Sequence, residues 1–169
     1  GYGVPGRFLS ASWKTHADFL QVMVTAVGEL THLYLPAMEA AGHGRILNVA
    51  SLAGLVPASP GHTMYGATKA WLIRFSECLA LEVKSRGVNV TALCPGFTYT
   101  EFHDANGMRA MVSKLPKYLW LDSPTVARLG VDAVEAGRTR VVTGFINRVV
   151  AAACKYLPDW AAKALVGSR

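Results

Sequence analysis

Cysteine is scarce, with 3 residues at positions 78, 94 and 154 of a 169-residue chain. An odd number at such wide spacing suggests neither a disulfide framework nor a zinc site, and a reducing, cytoplasmic setting fits it best. No run approaches the roughly 18 uninterrupted apolar residues of a membrane span, and the opening residues lack the basic, apolar, small-residue order of a secretory leader. Histidines do not cluster: His16, His32, His43 and His103 have no partners at metal-ligand spacing, so no metal is expected. Acidic residues are also few, 11 against 17 Lys and Arg, for a net charge of +6. That imbalance is local. From Gly137 to Arg169, Arg138, Arg140, Arg148, Lys155, Lys163 and Arg169 stand against Asp159 alone. The rest is nearly balanced and has no basic stripe interleaved with aromatics, which argues against a nucleic-acid partner.

What is present is apolar residue in quantity, 51%, enough for one sizeable buried core. Phe19, Leu20, Met23, Val27, Leu30, Leu33 and Tyr34 recur with helical period, predicting a long, mostly buried helix over Phe19 to Met38 that stops at Pro36 and the Gly42 to Gly44 turn. Arg45 to Ala50 reads as a buried parallel strand. Ser51 to Thr63, with its Gly and Pro residues, reads as a loop. A helix over Met64 to Ser85 ends at Arg86-Gly87, and Val88 to Cys94 is a β-branched strand closed by Pro95-Gly96. Phe97 to Asp122 is long and irregular, like a segment covering a substrate. Ser123-Pro124 starts a helix that runs to Ala136-Gly137, and Arg140 to Thr143 is a last short strand. Helix, strand, helix, strand, helix, strand is the order of half a doubly wound α/β sheet.

Tyr65 and Lys69 lie one helical turn apart and project from one face. A cation held near a phenol favours the phenolate and lowers its pKa from about 10. That suits a general acid/base near neutral pH. Ser51 sits where parallel strands deliver functional groups, at the carboxyl end of its strand, although a serine there also commonly does no more than open a turn. His62 is a candidate for substrate contact, and Phe97, Phe102, Tyr118 and Trp120 are candidates for an apolar pocket wall or for ordinary core.

The run Asn48-Val49-Ala50-Ser51-Leu52-Ala53-Gly54, then Tyr65-Gly66-Ala67-Thr68-Lys69, then Leu93-Cys94-Pro95-Gly96-Phe97-Thr98-Tyr99-Thr100, resembles the short-chain dehydrogenase/reductase family over essentially the whole chain. The resemblance implies an α/β fold, the C-terminal part of a doubly wound parallel-sheet (Rossmann-type) domain. It implies NAD(P)-dependent hydride transfer between nicotinamide and an alcohol or carbonyl substrate, moderately hydrophobic, with NAD or NADP as cofactor. Ser51 would orient the substrate oxygen, Tyr65 would exchange its proton, and Lys69 would tune Tyr65 and bind the nicotinamide ribose. Pro95, Gly96, Thr98 and Thr100 match the segment lying against nicotinamide and phosphates.

Two departures stand out. Family members carry an asparagine within a V-N-V-T pattern, where this chain reads Val22-Met23-Val24-Thr25, which bears on turnover rate more than on reaction type. Gly1-Tyr2-Gly3-Val4-Pro5-Gly6 fits G-x-G-x-x-G only formally, because no strand precedes it and Pro5 interrupts it. It resembles instead the continuation of the family's N-N-A-G motif, with Gly1 as the last glycine. The phosphate-cradling loop is then expected upstream of Gly1, residues 1–169 form one incomplete domain, and the chain by itself is expected to be inactive. A truncated, non-catalytic binding module is the alternative. An epimerase or dehydratase of the extended group is disfavoured by the short stretch after Pro95-Gly96.

Residues 146–167 read as an amphipathic helical tail, divided by Pro158. Arg148, Lys155, Asp159 and Lys163 form one polar stripe, opposite Val149, Ala152, Ala153, Tyr156, Trp160 and Ala164. Packing over the substrate cleft or against a second subunit is expected rather than contact with a membrane surface. Homo-oligomerisation is expected through the helices over 19–38 and 64–85.

Overall fold

The computed structural model of the chain describes residues 2–58, 60–100 and 116–166. Ser12 caps the first helix by accepting the Thr15 N–H at 3.2 Å. The helical stretch therefore begins well before Phe19, as α1 (Trp13–Leu20), a π-helical turn (Gln21–Thr25) and α2 (Ala26–Ala40). Pro36 lies inside α2 and does not end it. Pro36 and His32, one turn earlier, are both exposed, so water can take the carbonyl that the missing N–H leaves free. The expectation of a mostly buried helix is also corrected. Phe19 and Met23 are buried, but Leu30, Leu33 and Tyr34 are exposed, because α2 meets the core through Val27, Leu35 and Met38 on its other side.

The strands and helices that follow occupy the expected stretches: β1 (Gly44–Val49), α3 (Thr63–Val83), β2 (Val88–Cys94), then α4 (Ser123–Glu135) and β5 (Arg140–Val142). The sheet order is β1-β2-β5, all parallel, with Ile46 opposite Val90 and Leu93 opposite Val141. Alternation along β2 explains the layering. Val88, Val90, Ala92 and Cys94 pack with Leu72, Ile73, Ala80 and Val83 of α3 on one face. Asn89 donates from the opposite face to Val134 O of α4 at 2.9 Å. A strand buried on both faces and flanked by helices is half of a doubly wound sheet.

Within the stretch expected to be irregular, two short strands pair in parallel, β3 (Thr98–Tyr99) and β4 (Leu121–Asp122). Two-residue strands carry no periodicity, so no sequence pattern announced them. Residues 101–115 between them, including Phe102 and His103, lie outside the described residues, as do Gly1, Ser59 and 167–169.

The tail divides at Pro158 into α5 (Phe145–Tyr156) and α6 (Asp159–Val166). The expected polar stripe of Arg148, Lys155, Asp159 and Lys163 is exposed, but the apolar stripe opposite it is largely exposed as well. Asn147 and Ala162 are the buried residues of these helices, whereas Val149, Tyr156 and Trp160 are exposed. The Asn147 amide donates to Thr143 O at 2.8 Å, one turn earlier in the chain, while Arg148 and Lys155 stay exposed. Among the described residues no helix is long and apolar enough to cross a membrane.

Candidate active site

The ladder between β1 and β2 continues past both strands. Ala50 N–H donates to Leu93 O at 2.7 Å and Leu52 N–H to Pro95 O at 2.8 Å, so Ser51 leaves the sheet beside Pro95 and Gly96. Asn48 ties the end of β1 to α3 through the Ser76 hydroxyl at 3.0 Å. The chain then makes a 3₁₀ turn (Leu52–Gly54) against α3. Only glycine allows this approach: a Cβ at Gly54 would lie 2.7 Å from the backbone of Lys69 and Ala70. That contact sets Ser51 across from the first turns of α3.

Three side chains converge there. The Ser51 hydroxyl accepts the Ala53 N–H at 3.1 Å and hydrogen bonds the Tyr65 phenol. Lys69, one turn on, is only 8% exposed. Its ammonium donates to Val49 O at 2.7 Å and stands 5.7 Å from the centre of the Tyr65 ring.

Burial governs the titration of this group. It draws Lys69 down from 10.5 to about 8, because a charged amine loses hydration there. Cys94 cannot offset this at neutral pH, since burial pushes its thiol up to about 12 and leaves it uncharged. Burial also raises Tyr65 above 10, opposed by the Ser51 hydrogen bond. The expectation that Lys69 holds the phenol below its ordinary value is therefore corrected. Desolvation dominates, and Tyr65 keeps its proton at neutral pH.

A cavity of about 1250 Å³ opens over these residues. Ser51, Tyr65, Lys69, Pro95, Gly96, Thr98 and Thr100 all line it. Its other walls are mostly apolar, including Val56 and Pro57 after Ser51, Val126 on α4, Val150 on α5 and Val166 on α6. Ligand pockets commonly run to about 300–1000 Å³, so the space suffices for the reactive end of a dinucleotide together with a substrate. Two hydroxyls and an ammonium beside an apolar wall suit a sugar hydroxyl and a carbonyl oxygen, which is the donor set a nicotinamide cofactor and a ketone require.

The secondary candidates separate. His62 lines the cavity, as does Phe97. Trp120 is buried behind Phe97 and stacks on Tyr99 at 4.8 Å, a core position, while Tyr118 is exposed and is not part of this cavity's lining. His16 is structural, buried with Nε2 2.8 Å from Phe8 O, and His32 and His43 are exposed. Among the described residues no His, Cys, Asp and Glu cluster could hold a metal ion. Residues 2–6 form neither strand nor helix, and Gly6 N–H donates to Gly61 O at 2.9 Å, so no glycine-rich strand-to-helix turn exists there.

Two features escaped the sequence reading, the π-helical turn around Met23 and the burial of Asn147. Met23, in the asparagine position, lies buried inside the π-helical turn; the wide turn forms without an amide. Asn147 is buried against the Pro95-Gly96 corner, where a Cβ on Gly96 would fall 2.3 Å from its Nδ2. A single amide in the stretch Phe145 to Ala153, apolar but for it and Arg148, was the available signal.

Comparison with known proteins matches these features. A family model described as short chain dehydrogenase fits residues 1–109. The ketoacyl reductase HetN of Nostoc sp. is 32% identical over 144 residues, 84% of this chain and 48% of that protein. The very-long-chain 3-oxoacyl-CoA reductase of Rattus norvegicus is 32% identical over 149 residues, 87% of this chain and 44% of that protein. A solved short-chain dehydrogenase from Sphingobium yanoikuyae in complex with NADPH superimposes with a TM-score of 0.77 at 23% identity, over 100% of this chain and 63% of that one. At that identity the likeness is one of fold. The chain spans about half the length of the relatives it matches. By the family model, the motifs and the fold together, the chain belongs to the short-chain dehydrogenase/reductase family.

Proposed function

We propose that this chain carries the reacting centre of an NAD(P)-dependent oxidoreductase that interconverts an alcohol and a carbonyl, acting on a bulky apolar substrate. The observation that carries the proposal is the meeting of Ser51, Tyr65 and Lys69 on one cavity at the carboxyl end of the sheet. The nicotinamide, when bound, supplies or accepts the hydride. Lys69, Tyr65, Pro95, Gly96, Thr98 and Thr100 are the residues that would hold it. Ser51 holds the substrate oxygen by hydrogen bond, and Tyr65, protonated at neutral pH, delivers its proton to that oxygen as the carbonyl is reduced. Lys69 provides the nearby positive charge that favours proton loss from the phenol, and its amine has the donors to hold a sugar hydroxyl. The apolar walls exclude water and strengthen each of these contacts.

The apolar lining and two relatives named as ketoacyl and 3-oxoacyl-CoA reductases support an extended, apolar ketone as the substrate class. A non-catalytic binding role gains little support, because such a module has no use for a lysine buried at a cost to its charge. Self-association through α2 and α3 belongs to the same proposal, supported by the exposed Leu30, Leu33 and Tyr34. Sedimentation at micromolar concentration tests it, and a monomer there would end it.

The activity test offers NADPH and NADH separately to the protein at its full natural length, with a series of ketones of increasing apolar chain length. Reduction that strengthens with chain length is expected. No oxidation of either cofactor with any ketone would overturn the reading.

A further inference from the structure

The strongest apolar stripe of α5 points away from the protein. Phe145, Val149, Ala152 and Tyr156 recur at helical spacing on one face, and Phe145 is 72% and Tyr156 77% exposed. Leu157 at the corner is exposed too, and Trp160 at the start of α6 is 76% exposed. The opposite face of α5 is the one turned inward, with Asn147 buried and Val150 on the cavity wall.

Cations border this outward stripe. Arg148 stands 5.9 Å from the Phe145 ring and Lys155 5.1 Å from the Tyr156 ring. Among the described residues no carboxylate is paired with either. The helix contains no acid, and the acid of α6, Asp159, is held by Lys163.

We infer that the outer face of α5 and α6 docks on an anionic lipid bilayer. Aromatic rings that are apolar in body and polar at the tip settle at the headgroup boundary. Arginine and lysine bury their stems along such a surface while their charges meet lipid phosphates. A second copy fits this face less well, since two-fold pairing through it would set Arg148 and Lys155 against their own counterparts. Val150 and Val166 connect the docking helices to the cleft. In the setting of the proposed reductase, on which this last step rests, the same helices that touch the membrane form the wall past which an apolar ketone enters.

The test is co-sedimentation of the protein at its full natural length with vesicles of phosphatidylcholine alone and of phosphatidylcholine with phosphatidylserine. Binding to the mixed vesicles, weakened by added salt, is expected. Arg148→Glu with Lys155→Glu should lower the partition at least about tenfold, given a contribution near fivefold per basic residue. Tyr156→Ser with Trp160→Ser should lower it similarly, and both pairs should leave reduction of a water-soluble ketone unchanged. Equal binding of wild type and variants, or no vesicle binding, would overturn the docking. A wild-type self-association lost in the variants, without vesicle binding, would assign the face to a second copy instead. Vesicle binding needs no turnover, so bound but inactive protein would count against the reductase reading alone.

Discussion

Helices α3 and α5 border the same cavity and differ in how much of themselves they bury. α3 turns its chemistry inward, with Thr68, Lys69 and Ser76 buried beside Leu72 and Ile73. α5 buries only Asn147 and leaves its aromatic residues in solvent. The difference lies in what each buried polar group costs. Lys69 carries a charge whose hydration is lost, as its fall to about 8 records, and a single carbonyl from β1 offsets part of that. Asn147 is neutral, and its amide donates to the Thr143 carbonyl. α3 holds a charged group inside, whereas α5 buries one neutral amide and keeps its apolar stripe outside.

Removing the reacting atom gives the largest contrast between the two helices. Tyr65→Phe should lower kcat by about 10²- to 10⁴-fold while cofactor affinity, read by nicotinamide fluorescence, persists. Next is the seating of the turn on α3. Gly54→Val places carbon 2.7 Å from the α3 backbone; displacing Ser51 by about an ångström should cost roughly 10²-fold in turnover and about 1–3 kcal/mol in denaturant unfolding.

The charge on Lys69 sharpens the comparison through pH. Turnover in the reductive direction should fall as pH rises through about 8, and Lys69→Arg should move that fall upward, since a guanidinium stays charged. Stability has the opposite sign. Lys69 titrates lower folded than unfolded, so between about 8 and 10.5 the native state binds fewer protons and stability rises with pH, with the cost fully present below that window. Lys69→Met should flatten this rise in urea midpoints measured across the window. The smallest effect belongs to α5: Asn147→Ala should cost about 1 kcal/mol and loosen the Gly96 corner, weakening cofactor affinity a few-fold with kcat little changed.

Much of this was readable in the chain. Strand ends, the one-turn spacing of Tyr65 and Lys69, and the turn signals at Gly87 and Gly96 are local features, and local features survive folding. What was not legible depended on neighbours. Pro36 passes through α2 because its side of the helix is exposed, which no period reveals. The facing of α5 was misjudged because apolar moment favours Val149 and Tyr156 as the inner face, whereas the side turned to the protein carries Asn147 and Val150. The direction of the Tyr65 shift was misread because spacing shows that Lys69 is near, not how deeply the phenol is buried. The π-helical turn forms around Met23 although the asparagine usual at that place is absent, so the helix widening does not depend on that side chain.

The central claim is that this cavity exchanges hydride between nicotinamide and a substrate carbon while Tyr65 supplies the proton. The most direct measurement uses reduced cofactor carrying deuterium at its reactive carbon, an apolar ketone, and the protein at its full natural length with Tyr65→Phe alongside. Deuterium on the carbinol carbon of the product, formed by wild type and nearly absent with Tyr65→Phe, is the predicted result. Deuterium-free alcohol, or equal product from the two proteins, would contradict the account.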